Sequence, residues 1–171
     1  MLFRSSSGNY NTAVGRQALK SNSTASYNTA VGYQAGYTNA TGNRNVFIGY
    51  QAGYTSNYSG DASNTVVGNQ AGYSLTTGIG NSFFGGNTQA SSGGSGYYVT
   101  TGSNNTILGS YNGNQGGLDI RTASNYIVLS DGAGNPRLYS DGSGNWTAPA
   151  GTVSDSVGNL RSLPLNSQTS A

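Results

Sequence analysis

A ten-residue phrase recurs along this chain and limits what it can fold into more than any other feature. It reads Asn-Thr-Ala-Val-Gly-Tyr-Gln-Ala-Gly-Tyr at Asn28–Tyr37 and Asn-Val-Phe-Ile-Gly-Tyr-Gln-Ala-Gly-Tyr at Asn45–Tyr54. It returns as Asn-Thr-Val-Val-Gly-Asn-Gln-Ala-Gly-Tyr at Asn64–Tyr73, and weaker copies begin at Asn11, Asn81 and Asn105. The shared glycine falls at Gly15, Gly32, Gly49, Gly68, Gly85 and Gly109, in steps of 17, 17, 19, 17 and 24 residues. Self-similarity at a short period means one structural unit stacked on itself. A rod or spike is therefore expected rather than a pocketed globule.

Each copy opens with residues suited to a short strand. Side chains alternate between faces along a strand, so Thr29 and Val31 share one face and Ala30 and Gly32 the other. The two central positions stay apolar in every copy: Ala13/Val14, Ala30/Val31, Phe47/Ile48, Val66/Val67, Phe83/Phe84 and Ile107/Leu108. A thin solenoid has one interior, so apolar residues on both faces imply that the second face packs against identical neighbours. The repeat core is accordingly assigned to Val14, Val31, Phe47, Ile48, Val67, Phe83, Phe84 and Leu108, with the six shared glycines at the points where each strand turns or approaches a neighbour. The Gln-Ala-Gly-Tyr half is expected to turn and begin a second strand. Seventeen residues hold two short strands and two turns, not a helix and a strand. Recurrent Gly and Asn, with no apolar pattern at helical spacing, argue against helix throughout. The expected fold is all-β: about six rungs of a parallel β-roll over residues 1–113, rising about 4.8 Å each.

Beyond this block the phrase vanishes and the period breaks. Asp131–Asn135 and Asp141–Asn145 both read Asp-Gly-x-Gly-Asn between apolar runs, which marks them as hairpin turns. They lack the alternating ligands and closing Glu of an EF-hand loop. Residues 114–171 are therefore read as a β-rich hairpin or meander segment, with a final stretch that looks cut mid-domain.

Composition narrows the function. There is no histidine and no cysteine, which removes the commonest general base and the thiolate metal sites. Five aspartates and seven basic residues are scattered. Their spacing gives no reason to expect a cooperating acidic pair, and the basic residues make no stripe for phosphate. The chain is expected to be no enzyme, to need no cofactor or metal, and to bind no nucleic acid. No apolar run approaches membrane-spanning length.

The motifs Asn-Thr-Ala-Val-Gly and Asn-Val-Phe-Ile-Gly resemble the Ser-Val-Ala-Ile-Gly core of YadA-like head repeats, which form the left-handed parallel β-roll of trimeric adhesins. The fuller phrase resembles repeats in the tail fibres of tailed bacteriophages. Tyr126–Tyr139 and Gly158–Ser170 read like segments that follow such repeats. The resemblance covers about residues 8–113, and more weakly 118–170. The period of 17 or more is longer than the adhesin head usually shows. The resemblance implies a homotrimer that works as a structural and adhesive part of a virion tail fibre. Its further partners would be tail or baseplate proteins and a host-cell surface glycan. The alternatives are the head of a bacterial trimeric surface adhesin, or an ice-binding solenoid, for which Thr12, Thr29, Thr65 and Thr106 form a row interrupted at Val46 and Ser82.

Two sets of tyrosines invite a recognition role. Tyr37, Tyr54 and Tyr73 share one repeat position, and Tyr33 and Tyr50 another; a stabilising aromatic ladder is the preferred reading. The connection Asn87–Asn104 is longer than the others and carries Tyr97 and Tyr98. Long loops on rigid scaffolds often carry recognition, so these two are the candidate receptor contacts.

Overall fold

The computed structural model describes residues 7–86 and 93–149. Each copy of the phrase sets three extended residues between its asparagine and its glycine, and these are the principal strands. In chain order the strands are β1 (Thr12–Val14), β2 (Thr29–Val31), β3 (Gly42–Asn43), β4 (Val46–Ile48), β5 (Gly60–Asp61), β6 (Thr65–Val67), β7 (Ser82–Phe84), β8 (Thr106–Leu108), β9 (Asn114–Gln115), β10 (Leu118–Asp119), β11 (Ile127–Ser130), β12 (Pro136–Ser140) and β13 (Trp146–Thr147). The described residues include no helix.

β1, β2, β4, β6, β7, β8 and β11 pair in parallel, each in register with the next. The result is a β-solenoid of about six turns. The central residue of each strand points inward: Ala30, Phe47, Val66, Phe83, Ile107 and Val128 are fully buried. Phe47 and Phe83 thus occupy the core as expected. Val14, Val31, Ile48, Val67, Phe84 and Leu108 do not. They point to the outer side, because residues before and after an inward-facing strand residue must face away.

The parallel stack also runs past the expected boundary at residues 113/114. β11 pairs with β8 through Ile127–Thr106, Val128–Ile107 and Leu129–Leu108. After Ser130 this sheet continues antiparallel, through β12 and β13, while β9 and β10 form a separate antiparallel pair ahead of β11. The two Asp-Gly-x-Gly-Asn segments form those reversals, each closed by a backbone N–H of its aspartate donating to the carbonyl of its asparagine. Residues 150–171 lie outside the described residues.

The Gln-Ala-Gly-Tyr half is not a strand. Gln34, Gln51 and Gln70 have φ between 52° and 56°, and Gly36, Gly53 and Gly72 between 55° and 59°. Left-handed residues at alternate positions coil the chain through successive turns instead of extending it. Gln17, Gln34, Gln51 and Gln70 then join side chains rung to rung at 2.8–3.2 Å. Those bonds offset a backbone conformation that a residue with a Cβ adopts reluctantly.

Two close approaches need glycine. Gly49 has φ 131°, and a Cβ there would stand 2.3 Å from the Gly68 carbonyl oxygen on the next rung. At Gly53 a Cβ would stand 2.2 Å from the Phe47 ring. The glycine of Gln-Ala-Gly-Tyr therefore makes room for a large core residue.

The asparagine that opens each copy is shared between rungs, and from Asn28 to Asn105 it is buried. Its Oδ1 accepts the backbone N–H of the next rung's asparagine: Asn11 from Asn28, Asn28 from Asn45, Asn45 from Asn64, Asn64 from Asn81 and Asn81 from Asn105, at 2.9–3.1 Å. Tyr126 ends the column. Its N–H donates to Asn105 Oδ1 at 2.8 Å, and it has no side-chain amide to pass on.

The first reversal is held by charge as well as by backbone. The Asp131 carboxylate accepts the Asn135 N–H and is bound by the Arg137 guanidinium, which together hold its pKa down at about 2. A depressed carboxylate pKa adds stability that is complete above the ordinary value near 3.8 and is lost as pH falls towards about 2. The amide protons of Ala133 and Asn135 should therefore lose protection across that window. Unchanged protection down to the lower limit would show that the carboxylate does not hold the turn.

Candidate interaction surface

The outer side of the strand sheet is built from the first and third residue of every strand. The third-position column runs Val14, Val31, Ile48, Val67, Phe84, Leu108 and Leu129. Several of its members are open to solvent in a single chain: Val14 is 56% exposed, Ile48 38%, Phe84 41% and Leu108 57%. The first-position column is Thr12, Thr29, Val46, Thr65, Ser82, Thr106 and Ile127. This continuous outward apolar row along seven strands, in a chain with few apolar residues, is the candidate interaction surface.

Two further columns flank that face, one residue before each asparagine and one after each glycine. On the first side the Tyr10 and Tyr27 rings stack at 5.0 Å, and the Arg44 guanidinium carbon lies 5.8 Å from the Tyr27 ring centre. Arg44 is also paired with Asp61 on β5. On the other side the Arg16 guanidinium carbon lies 5.8 Å from Tyr33, whose ring stacks on Tyr50 at 5.5 Å. Tyr10, Tyr27 and Tyr50 are exposed.

A third column lies on the turn side of the solenoid. Tyr37, Tyr54, Tyr73 and Tyr97 stack in one unbroken ladder at 4.9–5.1 Å, with ring planes within 11° of parallel. Lys20 caps it, its Nζ donating to Tyr37 Oη at 2.9 Å. Burial among neighbouring rings raises the phenols of Tyr54 and Tyr97 above their usual range, with adjacent phenols adding to the effect.

This places the two expected receptor contacts differently. Tyr97 is not a loop-tip residue; it is the ladder's fourth ring. Gly72 N–H donates to the Ser95 carbonyl as Gly53 N–H does to Ala71, so Ser95-Gly96-Tyr97 is the fifth copy of Ala-Gly-Tyr. Seven extra residues upstream turn the 17-residue step into 24 and hide this phase in the sequence. Residues 87–92 of the expected loop lie outside the described residues. Tyr98 does present a free edge: it is 40% exposed and meets Tyr97 edge-on at 4.8 Å. Tyr98→Ala should leave the melting temperature nearly unchanged. Tyr97→Ala should lower it by removing one stacked contact, worth about 0.5–1.5 kcal/mol beyond its buried area. Equal melting temperatures would remove the ladder's stabilising role.

In the sixth rung Tyr111 takes the alanine position. It is fully buried, its hydroxyl donates to the Leu118 carbonyl at 2.7 Å, and burial pushes its phenol strongly upward. This is a satisfied core tyrosine. Among the described residues no three acidic, histidine or cysteine side chains gather as a metal site would require. Comparisons with protein-family models, with curated proteins and with solved structures find no match to this chain.

Proposed function

We propose that this chain is a structural and adhesive segment of a homotrimeric fibre, of the kind that tailed bacteriophages use to reach a host surface. The observation that carries the reading is the outward apolar row from Val14 to Leu129. A stiff solenoid is already complete inside, so these residues serve something beyond its own core. Closed three-fold association covers them on every copy and leaves no sticky end. Three identical copies then present each weak surface contact three times, which raises avidity without any new contact. In that setting the other partners are tail or baseplate proteins, and the ligand is a host-cell glycan met on exposed edges such as Tyr98. An ice-binding role fits the same face less well. Its threonine row is broken at Val46, Ser82 and Ile127, and the adjacent row carries bulky Phe84, Leu108 and Leu129.

Light scattering of the folded protein tests the reading. A mass of three chains is expected. Ile48→Asp and Phe84→Asp should each reduce it to one chain, because three carboxylates would be forced into one apolar seam. A monodisperse single chain in the parent protein would overturn the trimer.

A further inference from the structure

The two flanking columns carry information that the central apolar row does not. They stack as columns through the backbone as well as through their rings. Arg44 N–H donates to Ser26 O and Gly80 N–H to Ala62 O on one side; Gln34 N–H donates to Arg16 O and Gln51 N–H to Tyr33 O on the other. Each rung therefore has a left and a right flank, one at either end of its strand. The first three rungs pair Tyr10 with Arg16, Tyr27 with Tyr33, and Arg44 with Tyr50. The next four pair Ser63 with Asn69, Gly80 with Gly86, Asn104 with Ser110, and Asn125 with Asp131.

We propose that these flanks are the two halves of one contact between copies of the chain: the left flank of one copy meets the right flank of the next, level with level. The inference rests on the trimer reading and names the residues that orient it. A rotation about an axis along the stack leaves height unchanged, so each left-flank residue meets the right-flank residue of its own rung. Rungs one and three then form Arg–Tyr cation–π contacts, and rung two an aromatic pair. No arginine faces an arginine. Tyrosine and arginine are also the residues that dominate well-formed interfaces.

Size supports the same alignment. Where the flanks are bulky, in rungs one to three, the outward apolar residue is Val14, Val31 or Ile48. Where the flanks shrink to Gly80 and Gly86, or to Asn104 and Ser110, it is Phe84 or Leu108. Rung four is the narrow one, with Ser63, Val67 and Asn69. Copies standing side by side at matched heights keep this taper complementary. Copies running in opposite directions would set Tyr and Arg against Gly and Ser, and a shift of one rung would set Tyr50 opposite Ser63.

Because the chain has no cysteine, paired cysteines and a short bis-maleimide linker can test the register. Tyr27→Cys/Tyr33→Cys and Arg44→Cys/Tyr50→Cys are matched pairs. Within one chain each pair is held apart by an extended strand. Both variants should run as covalent trimers on a denaturing gel. The offset pair Tyr10→Cys/Tyr50→Cys, two rungs out of level, should remain single chains, and so should the single variants. Tyr10, Tyr27, Arg44 and Tyr50 are exposed and Tyr33 is half-buried, and circular dichroism and light scattering of each variant check that it keeps the parent's fold and mass before linking. A parent mass of one chain overturns the trimer reading and this contact together. A three-chain parent that links through the offset pair, through Tyr27→Cys alone, or through neither matched pair overturns the flank contact and leaves the trimer standing.

Discussion

Replacing Gly49 with valine is expected to lower the melting temperature by about 10 °C or more. Two effects act together. Gly49 sits at φ 131°, where a β-branched residue is strained by about 1–3 kcal/mol. Its new Cβ would also stand 2.3 Å from the Gly68 carbonyl oxygen, which is backbone and cannot swing aside. Gly32 would meet Gly49, and Gly68 would meet Gly85, in the same way. Relief at one rung therefore means parting two rungs of the stack. At about 2–4 °C per kcal/mol for a chain of this size, a loss of several kcal/mol gives the stated shift. The comparison is Gly132→Ala in the first hairpin, where nothing stands within 4 Å and φ is ordinary. That variant should melt with the parent. Equal melting of Gly49→Val and Gly132→Ala would show that the glycine column does not set rung spacing.

The second large effect is expected at Asn64. Leucine there is similar in size and more apolar, so if burial alone mattered the change would stabilise the core. Yet Asn64 Oδ1 accepts the Asn81 N–H at 2.9 Å, and its Nδ2 donates to the Gly78 carbonyl at 2.9 Å. Asn64→Leu leaves both partners buried and unpaired, at about 1–3 kcal/mol each. A net loss of about 2 kcal/mol or more should follow. It should appear in thermal melts at fixed protein concentration and as faster amide exchange at Asn81. A melting temperature equal to or above the parent's would mean that the ladder contributes nothing beyond its volume.

The asparagines show how a residue can mark a repeat while its role stays hidden. Asn28, Asn45 and Asn64 mark the start of their copies in the sequence, each at the head of a strand run. Their role depends on a partner 17 or 19 residues away lying directly above, which only the stacked backbone supplies. The seventh strand was hidden for a related reason. It has Tyr126 where the other rungs have asparagine and Ser130 where they have glycine, so both repeat marks are missing although the apolar centre persists. Tyr97 was displaced from its ladder in the same way, by seven inserted residues that break the phase.

The sequence by itself determined the repeating unit, the parallel stacking of short strands, the alternation within each strand and the two hairpin turns. All of these follow from local spacing: three extended residues between Asn and Gly, and Gly-rich reversals between apolar runs. It could not decide which strand face is the interior. Phe47 beside Ile48, and Phe83 beside Phe84, are equivalent by hydropathy. Tertiary structure broke the tie, because the coiled Gln-Ala-Gly-Tyr segment folds back over one side of the sheet and leaves its glycine space for Phe47 and Phe83 on that side only. The other face was left outward, and with it the apolar row and its Tyr and Arg flanks.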